Sequence, residues 1–212
     1  MGGNLIPDKS IGRLSLYRRI LNTIHDDSRR NIYSHELAAI AGSSAAQVRR
    51  DIMNIGYSGN PNRGYDIKDL STSIGNFLDA PEGQRVALVG VGNLGRAILA
   101  YFSGRRPKLT IDAAFDSDPK KTGRVIHGCH CYSINELDET TVNLSLTVGI
   151  ITVPASEAQK TADSLIRSGI TGLLNFAPVR LKTPPSVYIE DIDMTMSLEK
   201  VAYFARINEN GR

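Results

Sequence analysis

Gly90, Gly92 and Gly95 form a Gly-x-Gly-x-x-Gly within Val89-Gly90-Val91-Gly92-Asn93-Leu94-Gly95, and this is the spacing most able to do chemistry. Arg85 to Val89 enters the motif as a buried strand would. Leu94, Ala97, Ile98, Tyr101 and Phe102 leave it at helical spacing. Gly90 permits a tight turn, Gly92 lets backbone approach a pyrophosphate, and Gly95 lets helix and strand pack closely. The helix N-terminus turns N–H groups and positive dipole toward the phosphates. A second strand, Leu109 to Phe115, ends at Asp116, which follows Gly95 by 21 residues. That acid is placed to accept hydrogen bonds from both hydroxyls of an adenosine ribose and to repel a 2′-phosphate, which predicts NAD(H) over NADP(H). Asn93, Leu94, Ser117 and Lys121 join the candidate cofactor residues.

The elements that position this motif alternate strand and helix. Strands are predicted at 85–89, 109–115, 129–132, 147–152, 172–176 and 187–190, and helices at 93–103, 134–138, 156–168 and 195–206. Alternation implies a doubly wound parallel sheet with helices on both faces, and ligands bind outside the carboxyl ends of its strands. Those ends carry Gly90 to Gly92, Asp116-Ser117, Thr152-Val153-Pro154 and Asn175-Phe176-Ala177-Pro178. The last two face the nicotinamide half of a cofactor.

About 80 residues precede the motif, and they have another character. The net charge of the 212-residue chain is only +3, yet Arg13, Arg18, Arg19, Arg29, Arg30, Arg49, Arg50 and Arg63 all precede residue 65. Asp8, Asp26, Asp27, Glu36 and Asp51 are the acids set against them. Such imbalance fits a polyanionic partner. Residues 1–9 are expected to be loose and 10–27 helical. Ser34 is expected to cap a helix over 35–41 that Gly42 ends. Ser44, with Gln47 three residues on, reads as a capping box opening a helix to Ile55. Helix, glycine turn and helix have the spacing of a helix-turn-helix. On the second helix Val48, Ile52 and Ile55 share an apolar side. Ala46, Arg50, Met53 and Asn54 point the other way, with Gln47 and Arg49 on the flanks. Ser44, Ala46, Gln47, Arg49, Arg50 and Asn54 are therefore candidate contacts to double-stranded DNA. Residues 57–67 read as two short extended pieces and a loop, a wing. Arg63 at its tip suits a minor groove, and Asn60 and Asn62 suit phosphate. A helix over 69–77 and a linker at 79–83 follow. The organisation predicted is α/β: a winged helix-turn-helix domain at 1–80, a Rossmann domain at 81–190 and a C-terminal helix at 191–212.

Several classes of function are disfavoured. No apolar run reaches membrane-spanning length and residues 1–7 do not read as a secretory signal, so a cytoplasmic protein is expected with no membrane partner. His127-Gly128-Cys129-His130-Cys131 offers four soft ligands in five residues, but alternate residues cannot close a tetrahedral site alone. The segment reads as a third strand with both cysteines on one face, and no metal is expected. An NAD-dependent dehydrogenase is the alternative reading. It needs an acid/base beside the nicotinamide and a substrate site. His25 and His35 fall in the N-terminal part, His127 and His130 are far in sequence from the later strand ends, and Tyr101 has no lysine four residues on. A coenzyme A module is disfavoured by Asp116, which suits ribose hydroxyls and not a 3′-phosphate.

The whole pattern resembles the Rex family of redox-sensing transcriptional repressors. Matching stretches include Arg13-Leu14-Ser15-Leu16-Tyr17, Gln47-Val48-Arg49-Arg50-Asp51, Val86 through Ala97, Ala113-Ala114-Phe115-Asp116, Ile150 through Ala155, and Leu174 through Arg180. Asp191-Ile192-Asp193 with Leu198 and Ala202-Tyr203 extends the match to the C-terminal region. The resemblance implies a homodimer in which the C-terminal helix swaps onto the partner's winged helix. It also implies a repressor that holds a palindromic operator when bound to NAD⁺ or empty and releases it when NADH binds. It places Tyr101 near the nicotinamide, Asp193 near the domain junction and Arg19 as its basic partner. The chain departs from the family's usual pattern at Ile52-Met53-Asn54-Ile55, at Asn60 to Tyr65 in the wing, and at Met194. These departures bear on operator sequence and on the detail of the switch.

Overall fold

The computed structural model describes residues 6–25, 30–105 and 108–210. Asp26, Asp27 and Arg29 lie outside the described residues, as do 1–5 of the expected loose N-terminus. The chain forms two compact units, Met1–Pro81 and Glu82–Arg212.

The first unit is built from α1 (Asp8–His25), β1 (Asn31–Ile32), α2 (Ser34–Ala41), α3 (Ala45–Asn54), β2 (Tyr65–Asp66) and α4 (Ile67–Leu78). Its core gathers Leu14, Tyr17 and Leu21 of α1, Leu37 of α2, Val48 and Ile52 of α3, and Leu70 and Ile74 of α4. The sets from α1, α3 and α4 each repeat at three or four residues, the period of one helix face. Gly42, at φ +62°, ends α2 with its N–H on the Ala38 carbonyl. A left-handed residue at that position is what lets α2 turn so sharply into α3.

Three local expectations change here. Ser34 is the first residue of α2, not its cap. Its hydroxyl accepts a bond from Arg49 at 3.0 Å, while Glu36 reaches back to the Tyr33 N–H at 2.7 Å. Ser44 does cap α3, accepting from the Gln47 N–H at 3.2 Å, but the reciprocal half of a capping box is absent because the Gln47 amide donates to Asp51 at 2.9 Å. The wing is smaller than two paired strands. Asn60 and Gly64 form a single bridge, and β2 pairs antiparallel with β1 instead, Ile32 opposite Tyr65. Pro61 has no N–H to donate, and the Asn60 carboxamide oxygen takes the N–H groups of Asn62 and Arg63 at 2.8 and 3.2 Å, so the segment closes as a turn.

The second unit contains β3 (Gln84–Val89), α5 (Asn93–Phe102), β4 (Leu109–Asp116), β5 (Arg124–Ile126), β6 (Cys129–Ser133), α6 (Leu137–Asn143), β7 (Val148–Ile151), α7 (Ala155–Arg167), β8 (Gly172–Asn175), β9 (Tyr188–Asp191) and α8 (Met194–Asn210). The seven strands lie in the order β5-β6-β4-β3-β7-β8-β9. Leaving out β5, this is the 3-2-1-4-5-6 order of a dinucleotide-binding sheet. Its pairings are parallel except that of β5 with β6. That hairpin, absent from the sequence reading, turns at His127 and Gly128, both with positive φ. Such a two-residue turn matches strand twist. Alternation along β3 serves both faces. Ala87 and Val89 pack with Ala158, Ala162 and Leu165 of α7 on one side, and Val86 and Leu88 pack with Ile98 and Leu99 of α5 on the other.

Candidate cofactor cleft and nucleic-acid surface

The order of strands reverses between β3 and β7, and their carboxyl ends are fastened together there. The Thr152 hydroxyl lies 2.7 Å from the Gly90 carbonyl oxygen and 3.0 Å from that of Val89. Gly90, at φ +100°, donates its N–H to Phe115 at 2.8 Å. A Cβ at Gly95 would stand 2.1 Å from the Gly90 carbonyl oxygen, so only glycine lets α5 start this close to the strand. Gly92 occupies the N-cap of α5 with open space around it. The N-terminus of the helix is thereby presented to whatever occupies the crevice.

A cavity of about 540 Å³ opens at this point. Of the residues expected to hold a cofactor, Gly90, Gly92, Asp116, Ser117, Lys121, Thr152, Val153 and Pro154 line it. Sequence reasoning missed Glu157, Lys160, Thr161 and Ser164, which line it from α7. Their spacing was the available signal: they repeat at i, i+3, i+4 and i+7, one polar stripe beside the buried Ala158, Ala162 and Leu165. Val89, Asp118 and Ile134 complete the wall.

Asp116 is 8% exposed and already has three donors. Its Oδ2 accepts from the Val91 N–H at 2.8 Å and from Lys121 Nζ at 2.9 Å, and its Oδ1 accepts from the Asp118 N–H at 2.9 Å. Burial alone would raise this carboxyl, but the Asp118 N–H, the Lys121 ammonium and the Val91 N–H together hold it below its ordinary value. A carboxylate offers roughly four acceptor positions, so about one is left for a ligand, not the two the sequence reading used.

The remaining candidates lie elsewhere in the unit. Asn93 is exposed at the start of α5, and Leu94 packs into the core beneath it. Tyr101 is 58% exposed, with the Arg105 guanidinium 4.5 Å from its ring centre. Asn175 is buried, and its side chain serves the fold. It accepts from the Ala177 N–H at 3.0 Å and donates to the Val179 carbonyl at 2.9 Å and to Asp191 at 2.8 Å. Phe176 packs against the α5-side core, and Ala177 is buried. Asp193 accepts the Met196 N–H at 2.8 Å, which makes it the cap of α8. His127 and His130 sit on the β5–β6 hairpin, and no described histidine lines the cavity.

In the first unit the outward side of α3 exposes Ala46, Arg49, Arg50, Met53 and Asn54. A concavity of about 380 Å³ joins Arg49 and Met53 to the wing residues Ser58, Asn60 and Gly64. A second, of about 500 Å³, brings Arg30 and Arg63 to the other side of the wing. The wing is anchored from α2's N-cap, where the Tyr33 hydroxyl donates to the Asn62 carbonyl at 2.8 Å. A Cβ at Gly64 would stand 2.5 Å from the Ile32 carbonyl oxygen. Arg49 and Gln47 are partly engaged, to Ser34 and Asp51. Arg19 is exposed on α1.

α3 is tied to α1 by a residue to which the sequence pattern assigns no structural role. Asp51 is fully buried and accepts from Arg13 Nε at 2.6 Å, Arg13 Nη2 at 2.8 Å, the Tyr17 hydroxyl at 3.1 Å and Gln47. Burial would raise its carboxyl, but bonds from Arg13, Gln47 and Ser10 hold it below the usual range.

A winged helix-turn-helix and a Rossmann nucleotide-binding domain in one chain define the class of protein. Two families match its parts: a putative DNA-binding protein N-terminus over residues 5–52 and a CoA binding domain over residues 82–179. The redox-sensing transcriptional repressor Rex of Lactobacillus gasseri is 37% identical over 94% of this chain and 93% of its own length. Rex of Shouchella clausii is 36% identical over 95% of each chain. The crystal structure of RSP, a Rex-family repressor, gives a TM-score of 0.87 at 30% identity over 98% of this chain and 97% of that one. RSP in complex with β-NAD⁺ and operator DNA gives 0.88 at 30% identity, over 98% and 95%. The chain belongs to the Rex family.

Proposed function

We infer that this chain is a redox-sensing transcriptional repressor that binds DNA and NAD(H), and not an enzyme. One observation carries the reading: a basic recognition-helix surface and a dinucleotide cleft occur in the same chain, which matches Rex repressors along nearly its whole length. RSP, a relative 30% identical to this chain, is known in complex with operator DNA and β-NAD⁺ and in complex with β-NADH.

The repressor holds a palindromic operator when it carries NAD⁺ or is empty and releases it when NADH binds. Gly90, Gly92 and the α5 N-terminus take the pyrophosphate, Asp116 takes the adenosine ribose, and the loop 175–177 faces the nicotinamide. Arg49, Arg50 and Asn54 enter the major groove, with Ser44, Ala46 and Gln47 beside them, while Arg63 at the wing tip enters the neighbouring minor groove and Asn60 holds the wing against phosphate. The chain works as a homodimer, because two winged helices have to meet half-sites about 34–36 Å apart. Support for the swapped helix comes from α8, whose Leu198, Val201 and Phe204 are 69%, 66% and 61% exposed in the single chain. Among the described residues no helix is long and apolar enough to cross a membrane, and we place the protein in the cytoplasm. Arg19, Tyr101 and Asp193 form the switch: Asp193 engages Tyr101 when the ring is oxidised and Arg19 when it is reduced.

Operator titrations with NADH and NAD⁺ in parallel test this directly. NADH lowers operator affinity by about 5- to 150-fold, the span of a 1–3 kcal/mol coupling, and operator lowers NADH affinity by the same factor. Equal operator affinity in both cofactors would overturn the sensor reading. Asp193→Ala removes the coupling and keeps NADH binding. Release at the wild-type NADH concentration would overturn the Asp193 switch alone.

A further inference from the structure

The acid that sorts dinucleotides by their ribose is not electrostatically alone. Lys121 Nζ lies 2.9 Å from Asp116 Oδ2, and both side chains line the cavity at its adenosine end. The same oxygen is held by the Val91 N–H and the other by the Asp118 N–H, so the carboxylate cannot turn away from its cation. Lys121 is brought there by the turn Asp118 to Lys121, whose closing bond runs from the Lys121 N–H to the Asp118 carbonyl at 2.9 Å. On the opposite wall Lys160 lines the cavity and has no ion-pair partner among the described residues. The adenosine end therefore holds one buried carboxylate whose charge is offset by a contacting ammonium, with a second ammonium within the same walls.

An unpaired carboxylate at this position repels a 2′-phosphate and offers free lone pairs to a ribose diol. A carboxylate neutralised by a contacting cation does both less well, and the cation is itself a phosphate ligand. We propose that Lys121 is a specificity-determining residue: by sharing its charge between Asp116 and the ribose end of the ligand, it limits how strongly the cleft refuses a 2′-phosphorylated dinucleotide. NADPH is therefore admitted as a weak second ligand of the NADH site. This rests on the dinucleotide reading of the cleft given above.

Titration of the full-length protein with NADH and with NADPH, followed by calorimetry, tests it through the ratio of the two dissociation constants. That ratio cancels any effect on the pyrophosphate that both ligands share. In Lys121→Met, which keeps the length of the side chain, the preference for NADH over NADPH rises by about tenfold, the scale expected when one contacting charge is removed from a partly buried site. Lys121→Arg keeps the charge and returns the ratio toward the wild-type value. In Asp116→Asn the preference shrinks, because the freed ammonium turns to the phosphate. Adding Lys121→Met to that variant removes most of the effect, a coupling only interacting residues give. An unchanged or smaller preference in Lys121→Met overturns the role of Lys121 while the cleft reading stands. If the wild-type protein binds neither nucleotide, the cleft reading fails and the role of Lys121 falls with it.

Discussion

Asp51 and Asp116 are both buried carboxylates held below their ordinary ionisation range, yet they do opposite work. The donors to Asp51 are side chains from α1 and α3, Arg13, Tyr17 and Gln47, and they close around it. Asp116 is held by two backbone N–H groups, one from the glycine loop after β3 and one from the loop after its own strand, and by one lysine, and its remaining side faces a cavity. A carboxylate satisfied by side chains from several elements is a fastener of the fold. One satisfied chiefly by backbone beside open space is a site, because the backbone fixes its direction and leaves an edge for a ligand.

The largest consequence falls on Asp51. Removing one partner of a buried ion pair strands the other, and Arg13 keeps only 27% of its side-chain surface. Asp51→Ala is expected to cost about 3–5 kcal/mol of stability, read from the urea midpoint, and to abolish operator binding with it because α3 loses its anchor. Asp116→Ala should cost less than half as much and should instead erase the thermal stabilisation that NADH gives the wild type. Equal stability losses in the two variants would mean that both acids are structural.

Next comes Gly95, which carries no charge but fixes the edge of the open site. Its missing Cβ is what lets α5 begin against the Gly90 carbonyl. Gly95→Ala forces backbone apart and is expected to cost about 1–3 kcal/mol, with NADH affinity reduced by more than tenfold. NADH affinity at the wild-type level would show that the helix N-terminus is not the phosphate cradle.

Acid should expose both carboxylates at once. Each has a folded value below the unfolded 3.8, so each contributes stability that is fully present above 3.8 and is lost as pH falls through its folded value. The wild-type midpoint should therefore hold steady from neutral pH down toward 5 and fall steeply below 4. Asp51→Asn should flatten that fall more than Asp116→Asn, since Asp51 has more charged and neutral donors to lose. A profile unaffected by Asp51→Asn would place the acid-labile group elsewhere.

What the sequence made legible follows from range. The glycine motif, Asp116 and the α3 faces are local patterns, and the structure places them where periodicity put them. The Arg13 and Tyr17 donors to Asp51 are not local. Arg13 is 38 residues away in sequence, and nothing in the spacing of either residue names the other. Gln47 is different: its tie to Asp51 is a local i, i+4 pair on α3, and only its flank position, weighed alone, makes it a base-reading amide. Strands β1 and β2, two residues each, are too short to show a period. The polar stripe of α7 was legible too, since Glu157, Lys160, Thr161 and Ser164 share one helix face, but such a stripe also fits an ordinary solvated surface.

The smallest effect concerns a third buried acid, the thiol of Cys129, which shifts the other way. Burial pushes it up to about 12, helped by the nearby Asp112 and Cys131, and among the described residues no N–H donor to its sulfur offsets this. Its S–H donates to the His130 carbonyl oxygen, at 3.7 Å, an acceptor that favours the protonated form. Cys131, on the same face of β6, is buried and raised too. Burial with donors thus lowers an acid, as at Asp51 and Asp116, and burial without them raises it. At pH 8 the thiolate fraction at Cys129 is about one part in ten thousand, so the residue is inert as a nucleophile in the folded protein. Labelling with a disulfide reagent at that pH should be at least a hundredfold slower than for a free thiol and should reach two equivalents only in denaturant. Rapid native labelling at Cys129 would show that this face of the sheet opens to solvent, and would make the pair a candidate for thiol chemistry after all.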